Sequence, residues 1–188
     1  MNLEDIEKLT VEYGEGWGFA HVRRVLSLIE QIGAGMAYDQ EAIRYAAYLH
    51  DWGAFPRYYQ PGINHALRSR QIAETEILPH TALSPATRSL ILEAIELHDY
   101  RNTQPARSPE ALLLREADFL DFLGIIGIVR EFAWGPNDLQ LCYERVEARK
   151  AGVQGRFTIP AAQTIAEQRI AEMDQVLARL KEESQGYL

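Results

Sequence analysis

Residues Ala42–Asp51 read AIRYAAYLHD, and WGAFP follows at 52–56. Ile43, Ala46, Ala47 and His50 fall at i, i+3, i+4 and i+7, the spacing of one helix face. Asp39 just upstream is a favoured N-cap residue, and Gly53 and Pro56 break the pattern. The stretch is therefore a helix whose apolar stripe closes on a histidine, with an aspartate directly after it. Neighbouring residues on a regular helix point about 100° apart. His50 and Asp51 can face one point only where the helix runs out, and the turn that follows supplies that freedom.

The same pattern recurs downstream. Ser84-Pro85 is a helix start, with a cap residue followed by Pro at the first helical position. Ile91, Ala94, Ile95 and His98 then repeat the stripe that closes on histidine. Further helices are predicted over Leu3–Tyr13 and Gly18–Ile32. On the second of these, His21 shares a buried face with Val25, Leu28, Ile29 and Ile32. Others are predicted from His65 to about Ile77 behind the cap Asn64, from Ser108-Pro109 through Phe122, and from Gly124 to Phe132. The last two begin at Asn137 or Asp138, running to about Lys150, and at Thr158, running to Lys181. The segment Trp52–Ile63 holds two prolines and two glycines and reads as an irregular loop, its aromatics Phe55, Tyr58 and Tyr59 walling a pocket. In the last helix Ala166, Ile170, Met173, Leu177 and Leu180 alternate steps of four and three. That seam fits a neighbouring helix or a homodimer contact. No strand run and no repeat interrupts the helices, so the expected class is all-α, one domain over 1–188.

Composition narrows the function. A 188-residue chain with 47% hydrophobic and 24% charged residues is ordinary for a globular domain. The net charge of −8 argues against general binding of nucleic acid or of an anionic membrane. A small phosphate remains acceptable, because a divalent cation reverses the sign of a site locally. No apolar run reaches the roughly 18 residues of a membrane span, and MNLEDIEKLT lacks a signal core. The single cysteine, Cys142, cannot form an internal disulfide, which points to a cytoplasmic location.

Imidazole and carboxylate together suit Mn, Fe, Co, Ni or Zn. His21, His50, Asp51 and Asp118 are the candidate ligands. Asp118 sits among Leu112, Leu113, Leu114, Phe119 and Leu120, where a lone carboxylate is costly unless something positive meets it. His65 and His98 are two further nitrogen donors. If both turn inward, Asp51 can bridge two ions, and Asp51, His65 and His98 become the candidate catalytic groups. Asp99 reads as a carboxylate behind them. Arg24, Arg57, Arg68 and Arg101 lie near the ligands in sequence and are candidates for phosphate contact. Arg68, one turn beyond His65, is the favoured one, and each arginine has a surface ion pair as its plainer role. Arg130 reads as a structural partner of Asp118 or Asp121. Trp17, Trp52 and Cys142 read as core, and His80 as an exposed turn residue.

The order His21, then His50-Asp51, then Asp118 resembles the HD superfamily of metal-dependent phosphohydrolases. HVRRV at 21–25, AIELH at 94–98 and READFLDFLGIIGIVREF at 115–132 resemble that family's flanks. The resemblance covers about 18–132. It implies an HD-domain helical bundle, with an additional helical extension over about 137–188, and Asp118 rather than Asp121 as the last ligand. It matches His65 and His98 to the extra histidines of two-metal members, which include hydrolases of nucleotides and dinucleoside polyphosphates. Ala54 stands where some subfamilies have a lysine, and WGAF where nucleotidase-like members carry Pro-Glu, so no substrate subclass carries over. The expected activity is phosphomonoester or phosphodiester hydrolysis by a metal-activated water. The substrate would be a nucleotide or another small phosphoester, with one divalent ion or two. The alternatives are a di-iron oxygenase of the same ligand order and a non-catalytic, metal-stabilised binding module.

Overall fold

The computed structural model describes residues 1–188 and contains helices and turns but no strand. The chain forms two compact units, Met1–Ala117 and Asp118–Leu188. No helix is long and apolar enough to cross a membrane.

The first unit holds α1 (Leu3–Tyr13), α2 (Gly18–Ile32), α3 (Gln40–Leu49), α4 (His65–Ile72), α5 (Pro85–Leu97) and most of α6 (Pro109–Asp121). Its helix starts follow side-chain chemistry. Asn2 and Asp5 form a capping box, Asp39 accepts from the amides of Glu41 and Ala42, Asn64 from those of Ala66 and Leu67, and Ser84 from that of Thr87. Each such cap is worth about 1 kcal/mol. α3 packs against α1, α2 and α5. Ala42, Ala46, Ala47 and Leu49 on it are fully buried, and the small alanines let its neighbours approach closely.

Two predicted features differ in detail. The segment after α3 opens with a 3₁₀ turn, Trp52–Ala54, before the irregular loop expected there. Trp52 and Phe55 are fully buried, Tyr58 stacks on Trp52 and Tyr59 is 62% exposed. Phe55 fills the core beside Gly18, whose missing side chain leaves room for its ring, and Tyr59 faces solvent. Burying each large aromatic contributes about 2–3 kcal/mol. The predicted helix from His65 to Ile77 is continuous, but its ladder widens to π spacing over Ala73–Ile77 and ends in a 3₁₀ turn, Leu78–His80. Pro79 has no N–H with which to extend an α-helical ladder.

The second unit begins with the last residues of α6 and holds α7 (Gly124–Trp134), α8 (Leu139–Val153) and α9 (Pro160–Glu183). α7 packs against both α8 and α9. Ala166, Met173 and Leu177 of the predicted seam are buried, and the neighbouring helix of that reading is α7. Cys142 is buried, as expected. Ion pairs tie the elements together: Arg130 with Asp121, Arg145 and Arg149 with Glu131, and Lys150 with Glu147 and Asp174.

Candidate metal centre

α3 and α5 end alike. His50 is the C-cap of α3 and His98 the C-cap of α5. In each, ring nitrogen Nδ1 faces the carbonyl three residues earlier, Ala47 at 2.7 Å and Ile95 at 2.6 Å. A carbonyl only accepts, so both rings carry their proton on Nδ1 and keep the Nε2 lone pair for the centre. The two rings meet edge to face, with centroids 4.7 Å apart. Two helix C-termini thus converge on one point, and their partial negative charge favours a cation there.

Asp51 follows His50 and starts the 3₁₀ turn. That turn is pressed onto α4 at Gly53, where a Cβ would lie 2.3 Å from the His65 carbonyl oxygen. The Gly53 amide donates to Ser69 Oγ at 2.8 Å. Glycine at this position lets the turn carry Asp51 up to His65, the first residue of α4. His21, on the buried face of α2, completes the group.

Asp51 divides its two oxygens between two pairs of imidazoles. Oδ2 lies 3.4 Å from His21 Nε2 and 3.5 Å from His50 Nε2, which are 3.0 Å from each other. Oδ1 lies 3.4 Å from His65 Nε2 and 3.7 Å from His98 Nε2, which are 3.1 Å apart. Ligand atoms about 2.1 Å from an ion stand about 3.0 Å apart at right angles and about 3.4 Å apart at tetrahedral angles. Both triads therefore fit a first-row divalent cation by spacing and by donor type. His21 and His50 are almost wholly buried, whereas the His65 side chain is 24% exposed.

The electrostatics agree with that donor set. Burial pushes the Asp51 carboxyl up, but His50, His98, His21 and His65 outweigh it and hold it well below the usual carboxylate range. Burial also lowers the His65 pKa, against the pull of Asp51, which favours the neutral ring a metal requires. Asp99 is buried, yet hydrogen bonds from Arg101 and Asn64 bring its carboxyl down to about 2. Arg101 is raised in turn, chiefly by its hydrogen bond to Asp99.

The candidate arginines separate. Arg57 is exposed and lies over the Tyr13 ring, and Arg68 donates to the Tyr58 carbonyl and to Gln71. Arg101 reaches the cluster, with its guanidinium 3.1 Å from His65 Nδ1. Arg24 is half-buried on α2. Asp118 is buried on α6 and is the first residue of the second unit, so its place in the ligand set rests on the resemblance. His80 is exposed, as expected.

Sequence reasoning missed two supports. Asn64 caps α4 and also donates to Asp99 at 2.7 Å, tying the residue before His65 to the residue after His98. Arg115 donates to the Leu97 carbonyl at 2.7 Å and to the Gln104 carbonyl at 2.7 Å, fixing the chain on both sides of His98. The signal for the first was on the page, since a cap residue directly precedes His65. Nothing local announces the second.

The family model of the HD domain matches residues 18–123. The chain belongs to the HD domain family. Among solved structures, this HD protein is similar to a predicted HD superfamily hydrolase from an uncultured Thermotogales bacterium. The two share 22% identity over 96% of this chain and 91% of that one, with a TM-score of 0.68. It is similar as well to Bacillus subtilis YpgQ, solved in complex with ADP, at 20% identity over 96% and 94% of the two chains and a TM-score of 0.71. Lin1889 of Listeria innocua matches at 22% identity over 98% of each chain, with a TM-score of 0.66. These likenesses are of fold. No curated protein matches the sequence.

Proposed function

We propose that this HD protein is a metal-dependent phosphohydrolase acting on a nucleotide or another small phosphoester. The observation that carries the reading is the Asp51 carboxylate, which turns one oxygen to each of two imidazole pairs. In this reading His21, His50 and Asp51 hold one ion, and Asp51, His65 and His98 hold a second. When bound, the ions supply Lewis acidity, which lowers the pKa of a coordinated water and polarises a phosphoryl oxygen.

The chain's own groups have separate tasks. The carbonyls of Ala47 and Ile95 hold the His50 and His98 rings with their lone pairs inward. Asp51, kept ionised by its surroundings, supplies the negative charge that a dication needs. Arg101, its side chain 58% exposed at the rim, offers donors to a phosphate. Its position beside His65 makes it a better phosphate contact than Arg57 or Arg68, whose guanidiniums engage the Tyr13–Tyr58 region. The bound ADP of YpgQ is in keeping with a nucleotide as substrate class. A cytoplasmic location and a homodimer are part of the same proposal, the first in keeping with the single cysteine.

The experiment is a panel of nucleotides and generic phosphoesters assayed with Mn, Fe, Co, Ni and Zn. Phosphate release that persists without oxygen and is lost in Asp51→Ala supports the reading. The completeness of the second triad favours one other reading, a di-iron oxygenase. Turnover that requires ferrous iron and oxygen would select it instead.

A further inference from the structure

We propose that the outer face of α7, continued by the turn into α8, is the surface on which two copies of this chain meet. The inference gives a face to the homodimer named above and does not depend on the metal centre.

The sequence of α7, GIIGIVREFAW, is apolar on every side. Gly124, Gly127, Ile128 and Glu131 are its buried residues, and the helix packs on α8 and α9. A surface helix turns polar residues outward, and a helix apolar all round belongs inside. Here the outward residues are Ile125, Ile126, Val129, Ala133 and Trp134, and no other residue from Asp121 to Pro136 is exposed. The two charges of the helix are engaged within the chain. Arg130 pairs with Asp121, and buried Glu131 pairs with Arg145 and Arg149. Past the turn, Leu139 and Leu141 at the start of α8 are exposed as well. The other exposed large apolar side chains, Met1, Val11, Tyr59, Leu67 and Tyr187, are scattered along the sequence, which is ordinary for a surface.

Area and charge select the occupant. The six large apolar side chains exposed between Ile125 and Leu141 present on the order of 600 Å², the upper end of what monomers leave in one patch. That is near the roughly 800 Å² that each partner gives to a stable interface. A twofold contact sets the same patch of both copies face to face. An outward charge near the axis would meet its like, and two chains of −8 each already repel one another. A face without exposed charge is the kind that can meet itself. Lipid fits less well, because a helix lying on a membrane is flanked by Lys and Arg, whereas Asp138 and Glu144 are the exposed charges at the start of α8. Ile125, Val129 and Ala133 stand at i, i+4 and i+8, the row that interdigitates when two helices pack, and small Ala133 permits close approach. Val129, 54% exposed, lies at the middle of that row.

Sedimentation velocity across the micromolar range tests this. Wild type should run at twice the chain mass. Val129→Glu sets two carboxylates against each other and should raise the dimer dissociation constant by at least about 100-fold, with the helical circular dichroism unchanged. Should Val129→Glu fail to fold, Val129→Cys serves in its place. Under mild oxidation it should give a disulfide-linked dimer, since the native Cys142 is buried and does not compete. Val11→Cys on α1, 52% exposed, is the matched control and should stay unlinked. If folded Val129→Glu dimerises as tightly as wild type, or if position 129 links no faster than position 11, the copies meet on another face. The inference then fails while the homodimer stands. A wild-type chain that is monomeric throughout the range overturns both, and its capture by phosphatidylcholine vesicles would assign the face to lipid instead. Neither failure touches the reading of the metal centre, which metal analysis tests separately.

Discussion

Two sets of buried carboxylates in this protein, Asp51 on one side and Asp121 with Glu131 on the other, are handled in different ways. In the second, Asp121 meets Arg130, and Glu131 meets Arg145 and Arg149. Each acid has a cation of its own, and the pairs join helices. In the first, Asp51 meets imidazoles: four histidines from α2, α4 and the ends of α3 and α5 surround one carboxylate. Two of those rings are locked with lone pairs inward by backbone carbonyls. An acid paired with arginine completes itself inside the chain. An acid ringed by imidazoles is a donor set that could hold a cation from outside. The difference separates polar burial that joins helices from polar burial that could hold an ion.

The sharpest way to break that comparison is to remove the carboxylate on each side. Asp51→Asn should abolish both ion sites and reduce phosphate release by at least about 10³-fold, as loss of a group central to charge stabilisation does. The melting temperature of its metal-free form should stay at or above that of metal-free wild type. A large stability loss in the absence of metal would show that Asp51 is a structural acid after all. Glu131→Gln should behave in the opposite way. Breaking this mostly buried pair should cost about 2 kcal/mol in urea unfolding, with the metal count unchanged.

A smaller effect distinguishes the two halves of the centre. His65→Ala should remove one ion and leave the buried His21–His50 half loaded, whereas His50→Ala should empty the half that carries the resemblance. Metal analysis after dialysis reads both. The smallest effect concerns pH in the second unit. Burial pushes the Lys150 ammonium down, but Asp174 and Glu147 outweigh it and raise its pKa. A raised lysine pKa gives stability that is fully present below the ordinary value of about 10.4 and is lost as pH rises through the folded value. Lys150→Met should therefore be less stable than wild type at pH 8, by under about 1 kcal/mol. The two should converge as pH rises through the raised folded value, and urea midpoints measured there and at pH 8 check it.

Much of this was legible before any coordinates. The stripes that close on His50 and His98 announced two helices ending in histidines, because the 3.6-residue period is set by local geometry. Asn64 and Ser84-Pro85 marked helix starts for the same local reason. Asp51 as a bridge was readable as an option, since the turn after it frees its direction. What stayed hidden depends on residues distant in sequence. Arg101 meets both Asp99 and His65 only because α4 and the loop after α5 come together. Arg68 has the better spacing from His65, yet its guanidinium is drawn to the Tyr58 carbonyl ten residues earlier. The seam of α9 did not say which helix it packs on, and the fold supplies α7.

The central claim is that Asp51 bridges two ions, one between His21 and His50 and one between His65 and His98. Anomalous scattering from a crystal loaded with Mn²⁺ tests it most directly. The account predicts two anomalous peaks, one beside each oxygen of Asp51. A single peak next to His21 and His50, with His65 and His98 still hydrogen-bonded to each other at saturating Mn²⁺, would contradict it.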